Sequence, residues 1–272
     1  MYFLDDHYYS SGIFLQYGKI NESTEKASNT FNKKSYSLWE LGQKIYNPSA
    51  RFSKDILEYD YPYGGWLYVQ YSKQKKLTEN SNWQWGLQLG FTGEASLAHW
   101  LQNKYHKVFL NISEMSWTDQ VPQSFHLNFL FNYFKKYKIN SAMKVNTEVF
   151  SMFGTQKTGL GLRAGLVFGD SFVLPLGGNY LFDQNKGDGL YFGIKTDYLI
   201  HDYMISGSFL NQNAPFTLPS IPFRTTIESG FSYHSKEWKF LIMYNQSSRD
   251  NSIQPRKNHR FLNITITHFL SN

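Results

Sequence analysis

The sequence predicts an all-β protein: an antiparallel transmembrane β-barrel of about twelve strands, with one short helix between two of them. Three observations carry this. Stretch after stretch of roughly ten residues alternates between a large apolar side chain and a small or polar one, the period of an extended strand with one greasy face. The chain is 18% aromatic (20 Tyr, 23 Phe, 7 Trp) yet only 18% charged, and it has no cysteine. No apolar run approaches the ~18 residues that a membrane-spanning helix needs. A barrel needs only every second residue to be apolar, so its mean hydropathy stays low. A soluble β-sandwich also alternates, but its polar face is outside and rich in charge. Here the polar face is largely Gly, Asn and Gln, which suits a crowded interior.

Taken in order, Tyr9–Gly18 sets Tyr9, Ser11, Ile13, Leu15 and Tyr17 on one face. Ser10, Gly12, Phe14, Gln16 and Gly18 fall on the other, inward face. Ser35–Tyr46 sets Trp39, Leu41 and Ile45 against Glu40 and Lys44. Trp66–Ser72 and Trp83–Phe91 follow; the second places Trp83, Trp85, Leu87, Leu89 and Phe91 opposite Gln84, Gly86, Gln88 and Gly90. Trp66, Trp83 and Trp85 read as lipid-facing or interface aromatics. Phe125–Phe134, Ser141–Phe150, Thr158–Phe168, Leu190–Leu199, Thr225–Tyr233, Trp238–Tyr244 and Phe261–Leu270 complete the set. The inward Lys44, Glu40, Arg163, Lys195 and Glu228 predict a charged network that closes the lumen. Long connections (19–34, 47–63, 92–123, 169–188, 200–223, 246–258) are expected to alternate with tight ones, as loops and turns do at the two ends of a barrel.

That makes eleven strands, whereas single-chain bacterial barrels have an even number. A strand is therefore expected to be missing or clipped before Tyr9, with Met1–Leu4 as its remnant or the turn after it. The whole chain, 1–272, reads as one barrel domain in a Gram-negative outer membrane, working as a monomer. The net charge of +6 suits an anionic headgroup as well as it suits nucleic acid. There is no basic run with interleaved glycines, so nucleic acid is set aside and membrane lipid is the expected partner.

The remaining segment, Ala95–Trp117, predicts the helix. Gln102 and His106 are four residues apart and share one helix face, with His99 on the same side. A histidine near its ordinary pKa of about 6.5 is a suitable general base near neutral pH. His99 reads as a surface residue.

Four segments in order resemble one family. They are DDHYYSSG (Asp5–Gly12), QKIYNPS (Gln43–Ser49), DYPYGGWLY (Asp60–Tyr68), and the Q-x-x-x-H helix of Gln102 and His106 followed by Trp117. Together they are similar to the motifs of the outer-membrane lipid A 3′-O-deacylases, the LpxR family. The likeness covers about residues 5–130; beyond that it rests on strand spacing. It implies a twelve-stranded barrel that removes the 3′-linked acyloxyacyl group of lipid A and requires Ca²⁺. It implies that His106 is the catalytic histidine, that Gln102 and Ser10 accompany it, and that Arg51 and Lys54 grip lipid A phosphate. The chain departs from the family twice. The family's first-strand Asn-Asp pair has no room before Ser10; Asp5 or Asp6 is the fallback. The family's glutamate falls on Ile112, which leaves Glu114 as the candidate metal ligand.

Ester hydrolysis needs an activated water and a stabilised oxyanion. With no cysteine and no G-x-S-x-G elbow, a covalent acyl-enzyme has no support. The expected reaction is water attack with His106 as base, assisted by Ca²⁺. An outer-membrane phospholipase and a non-catalytic porin or adhesin are the alternatives.

Overall fold

The computed structural model describes residues 8–22, 34–170, 186–209 and 214–270. Eleven strands form one antiparallel sheet in chain order, each paired with its sequence neighbours. They are β1 (Tyr8–Glu22), β2 (Lys34–Asn47), β3 (Gly64–Thr78), β4 (Ser81–Thr92), β5 (Phe125–Lys138), β6 (Met143–Gly154), β7 (Lys157–Gly169), β8 (Gly187–Asp202), β9 (Phe223–His234), β10 (Trp238–Ser248) and β11 (Asn258–His268). The sheet curls into a nearly closed barrel. Among the described residues no ladder joins β1 to β11. The expected strand remnant or turn at Met1–Leu4 lies outside the described residues.

The alternation is realised in the strands between the two sheet edges, whereas in the edge strand β1 every residue from Ile13 to Ile20 is exposed, the expected inward Phe14, Gln16 and Gly18 among them. In β4, Gln84, Gly86, Gln88 and Gly90 are buried while Trp85, Leu89 and Phe91 are exposed. In β7, Gly159, Gly161 and Arg163 are buried while Leu160, Leu162 and Leu166 are exposed. The face that water would reject is the outer one, as lipid requires. The predicted inward charges do meet. Arg163 bridges Glu148 and Glu228, the latter at 3.0 Å, and the Tyr191 hydroxyl donates to Glu228 at 3.2 Å. Lys195 pairs with Asp197 at 3.1 Å. Glu40 accepts from the Tyr68 hydroxyl at 2.6 Å, and Lys44 lies over that ring.

Four expectations are corrected. In β1 the register shifts between Tyr9 and Ser11, which face Tyr46 and Ile45. Ser10 is the extra residue of a β-bulge, so the alternation does not run unbroken through it. Tyr9 turns back onto the Tyr46 and Phe261 rings instead of pointing out with Ile13 and Leu15. The side chain of Ser10 lies outside the described residues. Trp66, expected outward, is 2% exposed and packs on Tyr68 and His126. Long and short links do not alternate strictly. Connections 23–33 and 170–186 share their end of the barrel with the tight links 79–80, 139–142 and 235–237, while 48–63, 93–124, 203–222 and 249–257 share the other end with 155–156.

The fourth correction concerns the helix. It is shorter than Ala95–Trp117. A 3₁₀ turn at Gly93–Ser96 is followed by Leu97 in the left-handed region (φ 58°), then α1 (Ala98–Tyr105), then a π turn at His106–Leu110. Asn111 (φ 50°) ends it, as asparagine tolerates that conformation. The helix lies against the start of β3. A side chain at Gly65 would overlap Ser96 Oγ and the Ala98 methyl, so this glycine sets how close the helix comes to the barrel wall.

Candidate functional site

The helix-bearing end brings the four sequence segments together. From DYPYGGWLY, the buried Asp60 carboxylate accepts from the Ser49 amide at 2.8 Å and the Ser49 hydroxyl at 2.6 Å. Ser49 belongs to QKIYNPS. Asp60 also accepts from the Tyr8 hydroxyl at 3.1 Å, which belongs to DDHYYSSG. Asn251, from the far end of the chain, donates its side-chain amide to the Asp60 carbonyl at 2.9 Å. A carboxylate this enclosed is tolerated because its oxygens are satisfied.

A second set of contacts runs into the helix. The Tyr63 hydroxyl donates to the Arg51 carbonyl, and the Tyr63 ring stacks on Trp117 at 5.2 Å. Burial pushes the Tyr63 phenol up to about 12, so it remains a protonated donor at any physiological pH. Trp117 Nε1 donates to Gln102 Oε1 at 3.0 Å. The Met115 amide donates to Asn103 Oδ1 at 3.0 Å. Segment 111–117 is thus irregular but pinned back onto the helix by two side chains of α1. Gln43 completes the attachment by donating to the Ser96 carbonyl.

Gln102 and His106 are 4% and 6% exposed. His106 is the first residue of the π turn, a local widening of the helix found often at functional sites. Its carbonyl accepts from the Ile112 amide at 3.3 Å. Both side chains line a cavity of about 1900 Å³ that runs along the barrel and takes in the gap between the edge strands β1 and β11, with Tyr9, Lys44, Tyr46 and Tyr61 among its lining residues. Burial raises the Tyr61 phenol well above its ordinary pKa, so it too presents a neutral hydroxyl.

The other predicted residues are placed differently. Arg51 is half-buried in the 48–63 connection, its guanidinium 5.6 Å from the Phe52 ring. Its carbonyl joins it to the site, by way of Tyr63 and Trp117. Lys54 is exposed in the same connection, and neither residue lines the cavity. His99 is exposed and stacks on the Trp117 ring at 5.5 Å, a packing position. Glu114 is exposed, the sole carboxylate between His106 and Thr118. Among the described residues no three His, Cys, Asp or Glu side chains converge to hold a metal ion. Ca²⁺ takes 6–8 oxygen ligands, which backbone carbonyls, amide side chains and water supply beside carboxylates.

Sequence reasoning quoted Asp60, Tyr63 and Trp117 inside motifs without giving them a task. A lone carboxylate between Tyr59 and Tyr61 was the available signal for Asp60. Asn251 carried none, because its partner is 191 residues away.

No helix among the described residues is long and apolar enough to cross a membrane, which leaves strands to do so. Curated protein sequences give no match. The solved structure of LpxR from Salmonella typhimurium superposes with a TM-score of 0.80 at 17% identity, covering 97% of this chain and 90% of that one. The P. putida toluene transporter TodX matches 94% of this chain and 78% of its own at 9% identity, with a TM-score of 0.35, too low to argue from. The family model described as outer membrane protein LpxR matches residues 1–270, and the chain therefore belongs to the LpxR family of outer membrane proteins.

Proposed function

We propose that the protein is a lipid A 3′-O-deacylase that hydrolyses the 3′-linked acyloxyacyl ester with a water activated by His106. The observation that carries the reading is the buried Gln102–His106 pair at the wall of the cavity. A passive pore has no need of a histidine buried on a helix that Gln43, Tyr63 and Trp117 hold in place.

In this mechanism one nitrogen of the neutral His106 ring takes a proton from water, and the hydroxide oxygen bonds to the ester carbonyl carbon. The tetrahedral intermediate collapses by breaking the bond to the sugar 3′ oxygen. The proton held by His106 passes to that oxygen, so the products are a fatty acid and a free sugar hydroxyl. Gln102, oriented by Trp117, and Ser10 position the water or the carbonyl. Arg51 and Lys54 hold lipid A phosphates by charge-assisted hydrogen bonds. The barrel works as a monomer.

Calcium, which the family resemblance implies, remains part of the proposal with Glu114 as its candidate protein ligand. Bound near the ester it would polarise the carbonyl. No step above depends on it.

The test is mass spectrometry of lipid A incubated with the full barrel in detergent, with Ca²⁺ and with chelator. The expected result is loss of one acyloxyacyl unit, abolished by chelator. Loss that survives chelator keeps the deacylase and removes calcium. Cleavage of phospholipid with lipid A intact replaces the substrate class, and no cleavage of either makes the barrel non-catalytic.

A further inference from the structure

The end of the barrel opposite the helix carries a second polar cleft, of about 400 Å³. It is lined by Lys136 and Lys138 at the end of β5, Lys144 at the start of β6, and Lys186 just before β8. Glu79 and Asp170 are its carboxylates, so four lysines face two acids. Its neutral lining residues, Asn80 and Ser141, add hydrogen-bonding groups. Among the described residues no aromatic or aliphatic side chain lines it.

The placement of the lysines follows from the strand parity. Phe134 is buried and inward, so Lys136 and Lys138 share its face. Asn146 and Glu148 are buried and inward, so Lys144 shares theirs. The β5–β6 register sets Lys138 directly opposite Lys144. Like charges opposed across an antiparallel pair are destabilising. Lys144 Nζ is held in place by donating to the Gly169 carbonyl at 3.0 Å and the Asp170 carbonyl at 3.4 Å. An ammonium fixed by two carbonyls, with a second lysine at the opposed position and two more lining the cleft, concentrates positive potential inside a concave site. Lysine binds phosphate as a point charge, and the cleft's volume falls in the range of small-ligand sites, about 300–1000 Å³.

We propose that this cleft binds a phosphate group, at the end of the barrel opposite the helix. The chemistry is that of a phosphodiester or phosphomonoester anion held by Lys138, Lys144 and their neighbours. A glycerophospholipid headgroup and free phosphate both offer it. Tyr137 and Ile139, exposed on the strand end beside it, would flank the chains of a lipid. The proposal does not depend on the catalytic reading.

The test uses the full chain in neutral detergent. Native mass spectrometry follows retention of added phosphatidylglycerol against diacylglycerol, and ³¹P line broadening follows binding of inorganic phosphate. Wild type is compared with Lys138→Gln/Lys144→Gln and with Lys144→Arg, and heat-modifiable gel migration verifies that each barrel is folded. Expected is retention of phosphatidylglycerol over diacylglycerol, lost several-fold in the double variant and kept in Lys144→Arg. If only inorganic phosphate binds and the double variant loses it, the ligand is free phosphate and the site stands. If neither phosphatidylglycerol nor inorganic phosphate distinguishes wild type from the folded double variant, the proposal is overturned.

Discussion

The middle of the barrel and its helix-bearing end are held by different chemistry. In the middle, Arg163 sits between Glu148 and Glu228, all three almost fully buried, with Tyr191 closing the network. At the helix-bearing end a charged cluster of Lys157, Asp202, Arg224 and Asp250 ties β7, β8 and β9 to the 249–257 connection, but the links that seat the helix are neutral or single-charge hydrogen bonds and stacked rings. Tyr8 and Ser49 bond Asp60, Tyr63 stacks on Trp117, and Trp117 bonds Gln102. The first arrangement fills a lumen and could in principle be exchanged for apolar packing of the same volume. The second fixes where two particular side chains stand. Stability and activity should therefore separate when the two regions are altered one at a time.

The largest effect on stability is expected from Arg163→Met, which leaves two buried carboxylates without their cation. Breaking a buried pair this way costs about 3–5 kcal/mol. The unfolding midpoint in denaturant should fall accordingly, while folded barrels keep their activity. Adding Glu148→Gln and Glu228→Gln should recover most of the loss, because the uncompensated charge is then gone.

Asp60→Asn should do less to global stability and more to the rim. An amide cannot accept all the donors that the carboxylate satisfies, and a buried group left unpaired costs about 1–3 kcal/mol. The expectation is faster proteolysis within 48–63 and reduced lipid A hydrolysis, with the global midpoint little changed. An unaltered cleavage pattern and activity would show that Asp60 does not organise this end.

Trp117→Phe is the finer probe. It keeps a ring against Tyr63 but removes the donor to Gln102. About 1 kcal/mol of orientation lost from one hydrogen bond corresponds to roughly fivefold in rate. The fall should appear in kcat more than in KM, since nothing that grips the substrate has changed.

The smallest effect is expected from His99→Ala. His99 is exposed and stacks on the Trp117 ring. Activity near that of wild type separates it from His106, although both lie on the same short helical segment.

The contrast also explains what the sequence made legible. A strand buried on one side and bathed in lipid on the other repeats every second residue, so all eleven strands and the inward Arg163, Glu228, Lys44 and Glu40 could be read directly. What depends on pairing between strands could not. The bulge at Ser10 is set by the register against β2, and it turns Tyr9 inward. Trp66 reads as lipid-facing because it is large and apolar, yet it packs against Tyr68 and His126 where the helix crowds the rim. Gln102 and His106 were legible from their helical spacing. The end of the helix was not, because segment 111–117 is held by Asn103 and Gln102 side chains and by no backbone period. Lys54 and Glu114 carried charge without a partner that sequence could name, and both stand exposed.

The central claim is that the convergent segments exist to hold His106 as a base at the wall of the cavity. The most direct measurement is the rate of lipid A deacylation by His106→Ala, in barrels verified as folded by heat-modifiable migration. A positioned general base contributes about 10²–10⁴-fold, so a loss of that size with an unchanged unfolding midpoint is predicted. Deacylation at the wild-type rate by the folded variant would contradict the account.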